Sequence, residues 1–276
     1  MKKTAITIIK FIGFFLGWAV FTSILPLSSS ENPAIWRLWA EIMPLLAIIA
    51  FTFLFWLIEK KNIRLYLFDK PVKGVVLGVI MGGVWLAVPV LVMYMAGIIH
   101  FGGTNVIHLF SVWVLAAFLN VIMQELLVRG YLYQMIKQKH NIAAAAIVTT
   151  ALFTGLHGGA FEAGTVPVLN VLTMSLLMTL VLEYSGSIIA PIIMHFLWNG
   201  IGALVFGGVS LADDYPNLLI MSFTGNEILS GGVCKMEGSI IVLFVNIVLI
   251  VFLYCLLTRR PVRFCSGRPI RTCRPE

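Results

Sequence analysis

Apolar residues in this chain come in long, nearly unbroken runs, not in strand-like alternation. Eight runs stand out, at 5–26, 41–58, 74–98, 105–127, 142–157, 166–184, 187–206 and 239–257. A hydrocarbon core about 30 Å thick takes roughly 20 mostly apolar residues as a helix. The pattern therefore predicts an all-α, polytopic membrane protein of about eight transmembrane helices. The fifth run is short, and the fourth continues through a polar, amphipathic stretch to Lys139. Linkers are short and no repeat or low-complexity tract interrupts them, so residues 1–276 read as one integral membrane domain.

Composition sharpens this reading. Of 276 residues, 60% are hydrophobic and only 11% charged; the mean hydropathy is +0.99. A soluble domain carries about a quarter charged residues, so a soluble enzyme, a disordered chain and a nucleic-acid-binding domain are all excluded. The formal charge of +7 is a matter of topology. With the N-terminus in the cytoplasm, 17 of the 19 lysines and arginines fall on the cytoplasmic side, and only Arg37 and Lys235 on the other. This fits the positive-inside rule with both termini cytoplasmic. A cleaved signal peptide over 1–26 is disfavoured by Lys10 within the apolar run and by the lack of an Ala-x-Ala site. Cys234, Cys255, Cys265 and Cys273 have no Cys-x-x-Cys spacing, so neither a zinc knuckle nor a disulfide framework is indicated. The basic tail from Arg259 reads as an anchor to anionic lipid headgroups.

Ionisable residues inside spans are costly and mark functional sites by default. Four qualify: Glu125, Arg129, His157 and His195, accompanied by the amides Asn120, Gln124, Asn170 and Asn199. Glu125 and Arg129 share a helix face at i,i+4, as do Phe153 and His157, and His195 and Asn199. Three helices thus each carry a polar stripe that lipid would penalise, so the stripes should face one another. Spans four and five form a hairpin turning near residue 140, which puts Gln124 and Glu125 level with His157, roughly 24 Å from the turn. His195 lies roughly 13 Å beyond the Ser185-Gly186-Ser187 turn. These heights agree if the hairpin tip projects into the cytoplasm, which predicts a site in the cytoplasmic half of the bilayer.

The residues now resemble a known family. Gln124-Glu125-Leu126-Leu127-Val128-Arg129 resembles the Glu-Glu-x-x-x-Arg motif of the CPBP family, the intramembrane proteases related to the CAAX prenyl endopeptidase and to Abi bacteriocin-immunity proteins. Phe153-Thr154-Gly155-Leu156-His157 resembles its Phe-x-x-x-His motif, and His195-Phe196-Leu197-Trp198-Asn199 its His-x-x-x-Asn motif. The resemblance covers about 105–206, the core that carries all three. It implies that a glutamate and His157 activate a water, that His195 and Asn199 steady the oxyanion, and that Arg129 holds a carboxylate. Hydrolysis needs such a base and such donors. The implied activity is cleavage of a membrane-associated peptide or protein near the cytoplasmic face. Membrane lipid and that substrate are the expected partners, and a bacterial plasma membrane is the expected location.

One position departs from the pattern. The first glutamate of the pair is Gln124, and a neutral amide cannot take a proton as a carboxylate does. Three readings stay open. Glu125 serves as the base, although it lies about 100° round the helix from position 124. Glu162, just past the fifth span, supplies the carboxylate. Or the protein binds without cutting, acting in immunity or peptide export. A small transporter is a further class, but no inverted repeat supports it. The family is labelled metalloprotease, so a divalent ion such as zinc, held by His157, His195 and Glu125, is a candidate cofactor. His100, His108 and His140 read as loop or turn residues, Asn170 as a packing residue, and Asp213 and Asp214 as solvated carboxylates.

Overall fold

A computed structural model describes residues 2–26, 29–210 and 214–259. Arg260 to Arg274 of the basic tail, Cys265, Cys273 and Asp213 lie outside these residues. The chain is an all-α polytopic membrane protein. Its helices are α1 (Lys2–Ile24), α2 (Pro33–Ile58), α3 (Pro71–Met95), α4 (Phe110–Glu125), α5 (Tyr131–Lys139), α6 (Ile142–Leu156), α7 (Gly158–Ala163), α8 (Thr165–Ser185), α9 (Ile189–Phe196), α10 (Glu227–Ser230) and α11 (Ile240–Thr258). Wider, π-type turns over Leu126–Gly130 fuse α4 to α5, and Leu197–Val205 extends α9 in the same way. Among the described residues, the eight apolar runs become six helices long and apolar enough to cross a membrane and two shorter ones, Ile142–Leu156 and Ile189–Val205. The two short helices deliver His157, at the end of α6, and His195, just before α9 passes into its wider turns.

The chain has two unlike faces. The 60–73 loop, the turn between α5 and α6, the start of α1 and the end of α11 carry most of the lysines and arginines. The opposite face is capped by residues 206–210 and 214–239, which include one strand of a small antiparallel sheet of β1 (Ile99–Thr104) and β2 (Leu219–Phe223), in register Ile99 with Phe223 and Phe101 with Met221. On the basic face, Glu59 accepts hydrogen bonds from Lys10 at 2.7 Å, Lys139 at 2.5 Å and Tyr131 at 3.2 Å, which ties α1, α2 and α5 together. Burial alone would raise the Glu59 pKa, but the hydrogen bonds from Lys10 and Lys139 outweigh it and hold the carboxyl below the usual carboxylate range. A depressed folded-state pKa contributes stability above the unfolded value, about 4.3, and loses it as pH falls through the folded one. Thermal unfolding in detergent should therefore show Tm dropping below about pH 4.3, and Glu59→Gln should flatten that drop. An unchanged acid profile in the variant would dismiss the cluster as a brace.

Helix α8 is the centre of the bundle and α1 its edge: 56% of the apolar window of α8 is buried against 11% for α1. The α4–α5 rod is also central, buried at every residue from Glu125 to Ile136. A helix buried all round can carry polar side chains without showing them to lipid. Helix α9 is pressed onto α3 because Gly78 and Gly82 have no side chain there. A Cβ at Gly78 would lie 2.7 Å from the Ala190 carbonyl oxygen, and one at Gly82 only 2.9 Å from Met194 Cα. Small residues at this spacing let membrane helices approach backbone to backbone. Trp85 of α3 then stacks on Trp198 at 4.2 Å between ring centroids, and its Nε1 donates to Asn246 of α11 at 2.6 Å. That packing fixes the rotation of the helix that presents His195.

Candidate active site

Glu125 and Arg129 are fully buried. Arg129 Nη1 donates to both carboxylate oxygens at 2.9 Å, and its Nη2 donates to the Ser175 carbonyl at 2.7 Å and to Ser175 Oγ at 3.0 Å. This binds the end of α4 to the middle of α8. From α9, His195 Nδ1 meets Glu125 Oε1 at 2.9 Å. A carboxylate already paired with a guanidinium is an acceptor, so the imidazole donates and its proton sits on Nδ1. In the neutral ring Nε2 then carries a lone pair.

His157 reaches the same state by another route. Its Nδ1 donates to the Phe153 carbonyl at 2.7 Å, one turn back on α6. The Phe153 ring lies between the charged and imidazole groups. Its centroid is 4.3 Å from that of His157, 6.1 Å from that of His195, and 5.4 Å from Arg129 Cζ. The three motif segments therefore meet on one aromatic ring, and both imidazoles have Nδ1 occupied and Nε2 left over.

His157, His195, Asn199 and Gln124 line one internal cavity of about 560 Å³. Glu125 does not line it: the carboxylate is behind His195, and both its oxygens are engaged. Gln124 is on the wall, but its Nε2 donates to Asn120 Oδ1 at 2.5 Å, and Asn120 Nδ2 donates to Glu41 Oε2 at 2.7 Å. Gln124 Oε1 is buried with no hydrogen-bond partner. Glu162 is exposed on α7 and is not part of the cavity wall.

The remaining walls come from residues the sequence did not single out. Glu41 of α2 also accepts from Arg37 at 3.3 Å and from Tyr215 at 3.4 Å. Arg37 forks between Glu41 and Asp214, so Asp214 is paired rather than solvated. Burial, with Glu41 beside it, pushes the Tyr215 phenol pKa up, which keeps Tyr215 a neutral donor. Glu237 and Cys234 complete the wall from the capping segment. No residue of the 60–73 loop, of α5 or of the turn between α8 and α9 takes part. The cavity is thus walled by the face opposite the basic one, not by the basic face where the sequence reading put the site. The helix heights themselves hold, with His195 against Glu125 and Lys137 against Glu183; what the sequence did not show is that the segment after α9 folds over the bundle and supplies Tyr215, Cys234 and Glu237 as wall.

The donors do not fit a zinc site. Among the described residues no group of three or more His, Cys, Asp or Glu side chains is placed to hold a metal. Of the three expected ligands, Glu125 is committed to Arg129 and His195.

Fold and site together define an integral membrane protein with a carboxylate-held imidazole and a second imidazole facing a cavity inside its helical bundle. Residues 106–201 match the family described as type II CAAX prenyl endopeptidase Rce1-like, and this stretch carries all three motifs. The match leaves α1 to α3 and the capping segment uncovered. No curated protein and no solved structure matches the chain.

Proposed function

We propose that the protein is an intramembrane endopeptidase that hydrolyses a peptide bond of a membrane-associated peptide or protein. The observation that carries this reading is the pair of imidazoles on one cavity, each held through Nδ1. Two Nε2 atoms can bind and orient a water, and the Asn199 amide can donate to the oxygen of a substrate carbonyl as charge develops there. Glu125 positions His195 and keeps its tautomer. It does not touch the cavity, so it does not take the proton of the water.

The positive-inside rule puts the basic face in the cytoplasm. With the cavity walled from the other side, the scissile bond sits in the half of the membrane away from the cytoplasm. A prenylated tail arriving from the cytoplasm is then not the natural substrate; an apolar segment entering from the opposite face is. One specific observation favours a second reading, binding without cleavage: Gln124 stands at the usual position of a base, with its amide tied to Asn120.

Cleavage decides between them. Wild type and His157→Ala, reconstituted in vesicles, would be offered internally quenched single-span peptides of degenerate sequence and a quenched farnesylated CAAX peptide. Wild type is expected to cut the single-span probes, with the bond located by mass spectrometry in the half opposite the basic face. His157→Ala is expected to be slower by about 10²–10⁴-fold. If neither probe is cut, the binding reading replaces this one. If the farnesylated peptide is preferred, the assignment of the face is wrong.

A further inference from the structure

A water-activating carboxylate is missing at position 124, yet the cavity has a carboxylate of its own that no motif contains. Two glutamates line the wall, Glu41 and Glu237. Glu41 is neutralised in place by Arg37 and holds Asn120 and Tyr215 as well. Glu237 is different. Among the described residues it accepts from Trp198 Nε1 at 3.5 Å and from the Ser210 backbone N–H at 3.2 Å. None of the ion pairs among the described residues includes it. Among the described residues it is a carboxylate outside every ion pair, facing a cavity that holds two imidazoles.

Its depth matches theirs. Ser175 Oγ of α8 donates to Thr150 Oγ1 of α6 at 3.3 Å, which sets a common level for the two antiparallel helices. At 1.5 Å per residue, His157 lies about 10 Å above that contact and Asn170 about 8 Å above it, both toward the capped face. Asn170 Nδ2 donates to the Glu237 carbonyl at 2.8 Å and to that of Ser239 at 3.0 Å, which pins this stretch of backbone at that height. Trp198, adjacent to Asn199, donates to the carboxylate itself. Glu237 is thus held near the level of His157 by Asn170 of α8, while Trp198, beside the oxyanion donor, holds its carboxylate.

We propose that Glu237 is the general base of this site, supplying from the capping segment the carboxylate that position 124 lacks. The inference rests on the endopeptidase reading. Glu237 takes one proton from a water whose other proton is donated to the Nε2 of one of the two imidazoles. The water oxygen bonds to the scissile carbonyl carbon, and the carbonyl π pair moves to its oxygen, where the Asn199 amide donates. The C–N bond then breaks as the proton passes from Glu237 to the leaving nitrogen, giving an acid and an amine with Glu237 ionised again.

Glu237→Gln keeps the size of the side chain and an acceptor oxygen for one of its two donors, Trp198 on Oε1 or Ser210 on Oε2. On the quenched single-span peptides it is expected to lower kcat about 10²–10⁴-fold with KM and Tm unchanged. Adding Gln124→Glu should bring kcat back to within about tenfold of wild type, because a carboxylate again faces the water, whereas a structural defect would not be rescued from another helix. Turnover of Glu237→Gln equal to wild type would overturn the assignment and leave the endopeptidase reading intact. So would a loss that Gln124→Glu does not restore. A silent wild type beside an active Gln124→Glu would remove Glu237 as base and leave the natural chain a binder. Silence of both would end the endopeptidase reading itself.

Discussion

Glu125→Ala is expected to destabilise the protein by about 3–5 kcal/mol, the cost of leaving one member of a buried ion pair without its partner. Arg129 is fully buried, and Nη1 finds both its acceptors on Glu125. Its Nε has no acceptor among the described residues. Ser175 would be left as the one neutral neighbour still accepting from the guanidinium. Arg129→Ala should be costly for the mirror reason, since the carboxylate would keep only the His195 N–H. Removing both charges at once with Glu125→Leu and Arg129→Met should cost clearly less than the two single changes summed, because neither desolvated charge is then left alone. A double-mutant cycle on thermal unfolding in detergent measures this. Additive losses would show that the two side chains do not act as a unit, and an unchanged Tm for Glu125→Ala would deny the pair any structural role.

This pair also shows how much of the molecule was legible in the chain. Ionisable residues are so expensive in lipid that Glu125, Arg129, His157 and His195 announced a buried site, and their i,i+4 spacings fixed the stripes. The structure brings Arg129, His157 and His195 onto the Phe153 ring and ties Glu125 to the first and last of them. The division of labour between neighbours was harder to read. Gln124 and Glu125 differ by about 100° of helix rotation, and only packing decides that Gln124 faces the cavity while Glu125 faces α8 and α9. Glu41 and Glu237 were invisible for another reason. Both fall at the margin of an apolar run, where a carboxylate ordinarily sits in the headgroup layer. Here the capping segment folds down over the bundle, and Tyr215 and Glu237 become cavity wall. The short strands of the cap left no trace either, since Phe101-Gly102-Gly103-Thr104 has no period-2 pattern. The π-type turns were equally silent, because an apolar run reads the same at either pitch. Such turns are frequent at functional sites, and both here adjoin a motif: one follows Glu125 and carries Arg129, the other follows His195 and carries Asn199.

His195→Ala is expected to abolish most turnover, by about 10²–10⁴-fold, while Tm moves little. The more informative change is Glu125→Gln. A glutamine there can still accept from Arg129 through its carbonyl, so much of the fold should survive, but its amide group no longer compels His195 to donate from Nδ1. If the amide turns its NH₂ toward the ring, Nδ1 must accept, the proton moves to Nε2, and the lone pair that faced the cavity is lost. Turnover should then fall as far as in His195→Ala, with a Tm well above that of Glu125→Ala. Loss of the orienting carboxylate is known to cost this much in carboxylate–histidine pairs of unrelated hydrolases, for the same tautomeric reason. Nitrogen-15 spectra of the labelled imidazole would read the proton's position directly. If His195 kept Nδ1 protonated in Glu125→Gln while activity vanished, the carboxylate would be acting through its charge and not through the tautomer. If activity stayed at the wild-type level, Glu125 would be a structural brace alone, and the cavity would have to work without a fixed imidazole.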